Sequence, residues 1–255
     1  MIISERRRKR RKKIMIRCIA VLAVIALIIG LAVFAVHKHR SSGDVPADKG
    51  TQQEETQKDK KASSDTLKKR EGVIIYLDAG HGGSDSGHTN GDRLEKTDNL
   101  NISLATGKKL EKRGFTVKYS RTDDTAVERY TRGDKANEAK ATFMVSIHRN
   151  TADEGNGAEV WIAAVQPGNS KLLGNNILTE LEKTGFANRG VKAGTQDDPS
   201  LDYPENSVPD MPSCMVEVGF ISDKGDNKLV DKKLDEIAEA LAEGIETTYE
   251  KIYES

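Results

Sequence analysis

The chain predicts an α/β domain, a mixed or largely parallel sheet flanked by helices on both faces, preceded by a transmembrane helix. Three observations carry this expectation. After Gly72, short apolar β-branched runs alternate with segments of helical spacing. Before it, Cys18 to Val36 form 19 uncharged residues, CIAVLAVIALIIGLAVFAV. Between the two lies a stretch without aromatic side chains.

Residues 6–13 read RRRKRRKK and Arg17 adds one more charge, so 1–17 form a basic tail. As a helix, residues 18–36 would span roughly 28 Å, about the hydrocarbon thickness of a bilayer. The positive-inside rule keeps the tail in the cytoplasm and sends the rest outward. The expected location is therefore the cell membrane, single-pass, with the C-terminal domain on the extracytoplasmic side. A cleaved signal peptide would have a shorter apolar core of about 7–15 residues and a small-x-small cleavage site. This longer run is followed by HKHR, which favours an uncleaved signal anchor. Residues 37–70 are rich in Lys, Asp, Gln, Ser and Thr and bury too little surface to repay ordering. They are expected to be a disordered tether, roughly 30 Å long on average and roughly 110 Å when extended.

Residues 71–255 form the expected globular domain. Its strands are VIIYLD (Val73–Asp78), FTVKYS (Phe115–Ser120), TFMVSI (Thr142–Ile147), AEVWIA (Ala158–Ala163) and SCMVEV (Ser213–Val218). Leu100, Leu104 and Leu110 mark a helix over Lys96–Lys112, closed by Gly114. Further helices are expected near Thr125–Lys140, Ser170–Thr184 and Asp231–Tyr253. From Trp161 to Ser170 the path is too short for a further helix.

Charge narrows the function. Forty basic and forty acidic side chains balance overall, yet residues 1–70 carry 18 basic and 7 acidic, and the remainder 22 and 33. An acidic domain of this kind is not expected to bind nucleic acid. Two cysteines, Cys18 and Cys214, make neither a disulfide framework nor a Cys-rich metal site.

Three strand ends carry chemistry. The first runs into DAGHGG with His81, the third ends in SIHRN with His148, and SCMVEVGF holds Glu217 in an apolar run. Ligand sites in open α/β sheets gather beyond the carboxyl ends of strands. A carboxylate among apolar side chains is costly unless paired or near a cation. Two histidines and a carboxylate at one edge suggest zinc. Their spacing is long and leaves the third ligand open among Glu95, His88, Asp78 and Asp85.

The blocks VIIYLDAGHGGSDSG, EKTDNLNISLA, SRTDD, RGDKAN, SIHRN and MVEVGFISD, in this order over residues 72–252, resemble the zinc-dependent N-acetylmuramoyl-L-alanine amidases of the Amidase_3 type. That resemblance implies zinc on His81, Glu95 and His148, with Glu217 as the catalytic glutamate. It implies peptidoglycan as substrate, cleaved at the amide joining N-acetylmuramic acid to L-alanine of the stem peptide. Membrane attachment through the single N-terminal helix and a monomeric state are expected. The sequence departs from the pattern at His88, Arg149 and Asp223, with Arg149 a candidate contact to an acidic wall polymer. Arg189 is a candidate for a substrate carboxylate. Alternatives are another zinc hydrolase of the wall, a peptidase or deacetylase, and an inactive membrane-tethered wall-binding domain; the latter should have lost one of the four residues.

Overall fold

The computed structural model describes Arg70, residues 72–165 and residues 168–255. The expected basic tail, transmembrane segment and tether, up to residue 69, lie outside the described residues. Among the described residues no helix is long and apolar enough to cross a membrane.

The elements are β1 (Ile74–Ala79), β2 (Thr89–Asn90), β3 (Arg93–Leu94), α1 (Glu95–Lys112), β4 (Thr116–Tyr119), α2 (Arg129–Glu138), β5 (Phe143–Asn150) and β6 (Ala158–Ile162). They continue with α3 (Gly168–Lys183), β7 (Asn188–Ala193), α4 (Pro204–Ser207), β8 (Ser213–Phe220) and α5 (Lys224–Tyr249), ending in a π-turn over Glu250–Glu254. Six strands form one sheet in the order β4-β1-β5-β8-β6-β7, and β2 pairs with β3 in a small hairpin. Strands β4, β1, β5 and β8 are parallel, and β6 pairs antiparallel to β8. The sheet is therefore mixed and mostly parallel, as expected.

Side chains alternate between the two faces of a strand, and here the faces differ in chemistry. Ile75, Leu77, Val145, Ile147, Val160, Val216 and Val218 point to one side, where Ile102 and Leu110 of α1, Leu173 and Ile177 of α3, and Ile237, Leu241 and Ile245 of α5 close the main core. On the other face Tyr76 and Met144 pack with Ala136 of α2. Asp78, Ser146, His148 and Glu217 follow on that face toward the carboxyl ends of their strands, and Glu159 lies beside them at the amino end of the antiparallel β6. Helices thus cover both faces, but unequally, and the partly covered face is the polar one.

Several boundaries move for local reasons. Helix α2 starts at Arg129 because the Glu128 carboxylate accepts from the backbone N–H of Tyr130 and Thr131. Helix α5 begins at Lys224, where Asp223 accepts from Asp226 N, and Lys233 interrupts it with non-helical torsions at φ −127°. Asp223, a departure from the family pattern, is thus an N-cap, a position where Asp and Asn serve equally. Arg70, placed by the sequence at the end of the tether, is buried against Glu246, Glu250 and Glu254, with its guanidinium 5.0 Å from the centroid of the Phe115 ring.

Candidate active site and metal centre

The turn after β1 is held open by two arginines. Arg121 donates to the carbonyls of Ala79, Gly80 and Lys96, and Arg132 donates to those of Ala79, His81 and Val127. These bonds hold His81 at φ 61°, in the left-handed region that a residue with a Cβ rarely adopts. Arg132 also reaches Asp78 at 2.6 Å, and Ser146 Oγ donates to the same carboxylate at 2.6 Å. Burial would raise the Asp78 carboxyl, but the Arg132 charge and the hydroxyls of Ser120 and Ser146 hold it below its ordinary range. Gly80 is required by close approach, because a Cβ there would fall into the His148 imidazole.

His81, Glu95 and His148 converge. Glu95 opens α1, and its Oε1 lies 3.2 Å from His81 Nε2 and 3.0 Å from His148 Nδ1. One donor atom from each of the three lies within 4.8 Å of the others. The Glu95 carboxylate is fixed by Asn99 Nδ2 and by the backbone N–H groups of His88 and Arg149. Burial opposes its ionisation, yet the hydrogen bonds and charges of His148 and His81 outweigh burial and hold it well below the carboxylate range. His81 Nδ1 is 2.8 Å from Asp85 Oδ2, the type of outer partner that fixes the tautomer of a metal-binding imidazole.

This donor set fits zinc. Ligands at about 2.0–2.1 Å in a tetrahedral shell stand roughly 3.3 Å apart, close to the separations between Glu95 and each histidine. Of the sequence candidates for third ligand, Glu95 alone joins the pair. Asp78 is committed to Arg132 and Asp85 to His81. His88 is exposed, and what it supplies to Glu95 is its backbone N–H at 2.8 Å.

Glu217 sits beside this cluster. Its register places it opposite His148 on β5 and opposite Glu159 on β6. Its Oε2 is buried without a partner among the described residues. Burial pushes its carboxyl up to about 8, with His148 opposing and Glu95 and Glu159 adding to the rise. Glu217, Arg129 and Tyr203 line one cleft of about 370 Å³ together with His81, Glu95 and His148.

Sequence reasoning does not single out Glu159, although it carries the same signal as Glu217, a carboxylate within the apolar run AEVWI. It is fully partnered. Asn150 Nδ2 and Trp161 Nε1 donate to Oε1, and Arg189 Nε and Lys192 Nζ donate to Oε2. Arg189 is thus tied to Glu159, lies 4.9 Å over the Phe220 ring, and is not among the residues that line the cleft. Arg149 is likewise not a wall contact: it is fully buried and donates to Asp98, Gly219 O, Phe220 O and Asn227. Strand β6 ends at Ile162 and α3 begins at Gly168, a separation too short for an inserted helix.

An α/β sheet with a His–Glu–His cluster and an unpartnered carboxylate at its carboxyl edge has the residue set of a hydrolase site able to hold a metal. The family profile described as N-acetylmuramoyl-L-alanine amidase matches residues 75–247, and the chain belongs to this Amidase_3 family. It is 33% identical over 186 residues to the uncharacterized protein YqiI of Bacillus subtilis, covering 71% of this chain and 87% of YqiI. It is 33% identical over 184 residues to the N-acetylmuramoyl-L-alanine amidase LytC of the same organism, covering 70% of this chain but 36% of LytC. The crystal structure of an N-acetylmuramoyl-L-alanine amidase from Clostridium difficile 630 matches with a TM-score of 0.64 at 27% identity, covering 71% of this chain and 98% of that one.

Proposed function

We propose that the domain hydrolyses the amide between the lactyl group of N-acetylmuramic acid and L-alanine of the stem peptide, with zinc held by His81, Glu95 and His148. Family membership supports the bond, and the convergence of three donors at zinc-like separations supports the metal. When bound, zinc supplies Lewis-acid polarisation of the scissile carbonyl and makes water acidic enough to react near neutral pH. The chain's own residues do the rest. Burial raises the Glu217 carboxyl, and a cation held by His81, Glu95 and His148 would favour its ionised form. Once ionised, Oε2 takes a proton from the attacking water and returns it to the leaving amine nitrogen. The C–N bond breaks, leaving a carboxylate on the sugar and a free amino group on the peptide. Asp85 holds His81 in the tautomer whose Nε2 lone pair faces the site. Glu159, saturated by four donors, stays ionised and keeps the sheet row in register beside Glu217.

The observation that carries this reading is the orphaned Glu217 Oε2. A buried carboxylate oxygen without a partner is rare and calls for a functional cause. An inactive wall-binding domain has no need of it, and all four residues expected of an active enzyme are present. The chain is proposed to work as a monomer, since one chain supplies all four. The uncharged run at residues 18–36 behind a basic tail supports a single-pass anchor with the domain outside the membrane.

Glu217→Gln tests the role of the base. The amide keeps the size of the side chain, so zinc content and melting temperature should match wild type. Turnover should fall by on the order of 10²–10⁴-fold or more. Loss of zinc and stability in parallel with activity would make Glu217 a structural residue, and near-wild-type turnover would remove it from the mechanism.

A further inference from the structure

Three arginines line the cleft, and they are not equivalent. Arg132 spends Nη1 and Nη2 on Asp78 and backbone carbonyls, and Arg149 spends all three nitrogens on internal partners. Arg129 differs: its side chain is 54% exposed, whereas the Glu205 carboxylate that holds it is 2% exposed. Its Nε donates to Glu205 Oε1 at 2.9 Å and its Nη2 to Oε2 at 2.8 Å. Among the described residues its Nη1 has no partner. The Tyr203 ring lies 5.9 Å from the guanidinium carbon.

A guanidinium has five donors arranged along two forked edges. Glu205 occupies the Nε/Nη2 edge and fixes the plane, leaving the Nη1/Nη2 edge for a second planar acceptor. This is a preorganised carboxylate receptor in the cleft that also holds His81, Glu95, His148 and Glu217. The proposed substrate contains such a group near the scissile bond. The residue after L-alanine in a stem peptide is a D-glutamyl unit linked through its side chain, so its α-carboxyl is either free or capped as the amide. Two extended residues span about 7 Å, a reach comparable with the size of a cleft of about 370 Å³.

We propose that Arg129, locked by Glu205, selects stem peptides whose D-glutamyl α-carboxyl is free over those in which it is amidated. The inference rests on the amidase reading above. Replacing the carboxylate by an amide exchanges a charge-assisted fork for a single neutral acceptor beside N–H donors that Arg129 cannot satisfy.

The test uses the zinc-loaded full-length chain in detergent and two purified disaccharide tetrapeptides that differ only at this carboxyl. Wild type should favour the free acid about tenfold in kcat/KM, the difference residing in KM. In Arg129→Gln the ratio should fall to within about twofold of one, through a higher KM for the acid. Equal preference in wild type, or a ratio unchanged in Arg129→Gln, would overturn the proposal while leaving the amidase reading intact. If the pair only braces α4 against α2, Arg129→Gln and Glu205→Gln will lower melting temperature and slow both substrates alike, which also overturns it. Cleavage of neither peptide by wild type would overturn the amidase reading itself.

Discussion

Glu217 and Glu159 face each other across β8 and β6, yet their surroundings drive them apart. Glu159 accepts from four donors and its carboxyl is held low against the opposing effect of burial, chiefly by Lys192 and Arg189. Glu217 has an oxygen without a partner and is pushed up to about 8 by burial. Two carboxylates given opposite tendencies by environment is a recurring way to divide structural from proton-transfer roles. The proposed metal ligands can be separated from their neighbours in the same way. His81→Ala and His148→Ala should lose nearly all zinc on metal analysis of the purified protein. His88→Ala should retain it, because the backbone N–H that reaches Glu95 survives the substitution. Substantial loss from His88→Ala would bring its imidazole to the metal. Both histidines and Glu217 were legible in the sequence as polar residues at strand ends or within apolar runs. Glu95 was one of four candidates until the family pattern selected it. Arg129 and Glu205 were not legible, because an arginine opening a helix and a glutamate in a Pro-rich turn look like ordinary surface until the fold joins them.

The elements follow the same logic of pattern and exception. All five expected strands are present because their β-branched runs fill the two faces of a central sheet. Strand β7, NRGVKA, is half exposed at the sheet edge, and its polar residues and Gly190 hide it from hydrophobic patterning. The hairpin of β2 and β3 has two residues in each strand, too few to show a period. Helix α5 was legible only from about Asp231, just ahead of its interruption at Lys233, since the capped first turns carry mostly charged and polar residues. Packing of α5 on α3 depends on Gly244. A Cβ there would lie 2.5 Å from Ile177 Cα, and backbone cannot rotate away. Gly244→Ala gains up to about 1 kcal/mol of helix propensity but overpacks the crossing by about 1–3 kcal/mol. The net expectation from urea unfolding is a loss of about 1–2 kcal/mol with zinc content unchanged. A variant as stable as wild type would mean that the two helices separate without penalty.

At the scale of the whole molecule, charge and topology divide the labour. The basic charge belongs to residues 1–70 and the acidic excess to the domain that follows. Arg70 is clamped by Glu246, Glu250 and Glu254 ahead of β1, whereas the cluster of His81, Glu95 and His148 forms at the carboxyl ends of the strands. The chain therefore enters the domain at the opposite edge of the sheet from the cleft. If residues 18–36 stay in the membrane, protease added to intact spheroplasts should digest the domain and spare the basic tail. A soluble product beginning near residue 37 would instead indicate a cleaved signal peptide. The central claim, that this cleft is a wall amidase, is tested most directly by mass spectrometry of purified muropeptides after incubation with zinc-loaded protein and no added partner. The account predicts intact stem peptide with a free L-alanine amine, together with sugar bearing an unsubstituted lactyl carboxylate. Any other pair of fragments, or no cleavage until a partner protein is supplied, would contradict it.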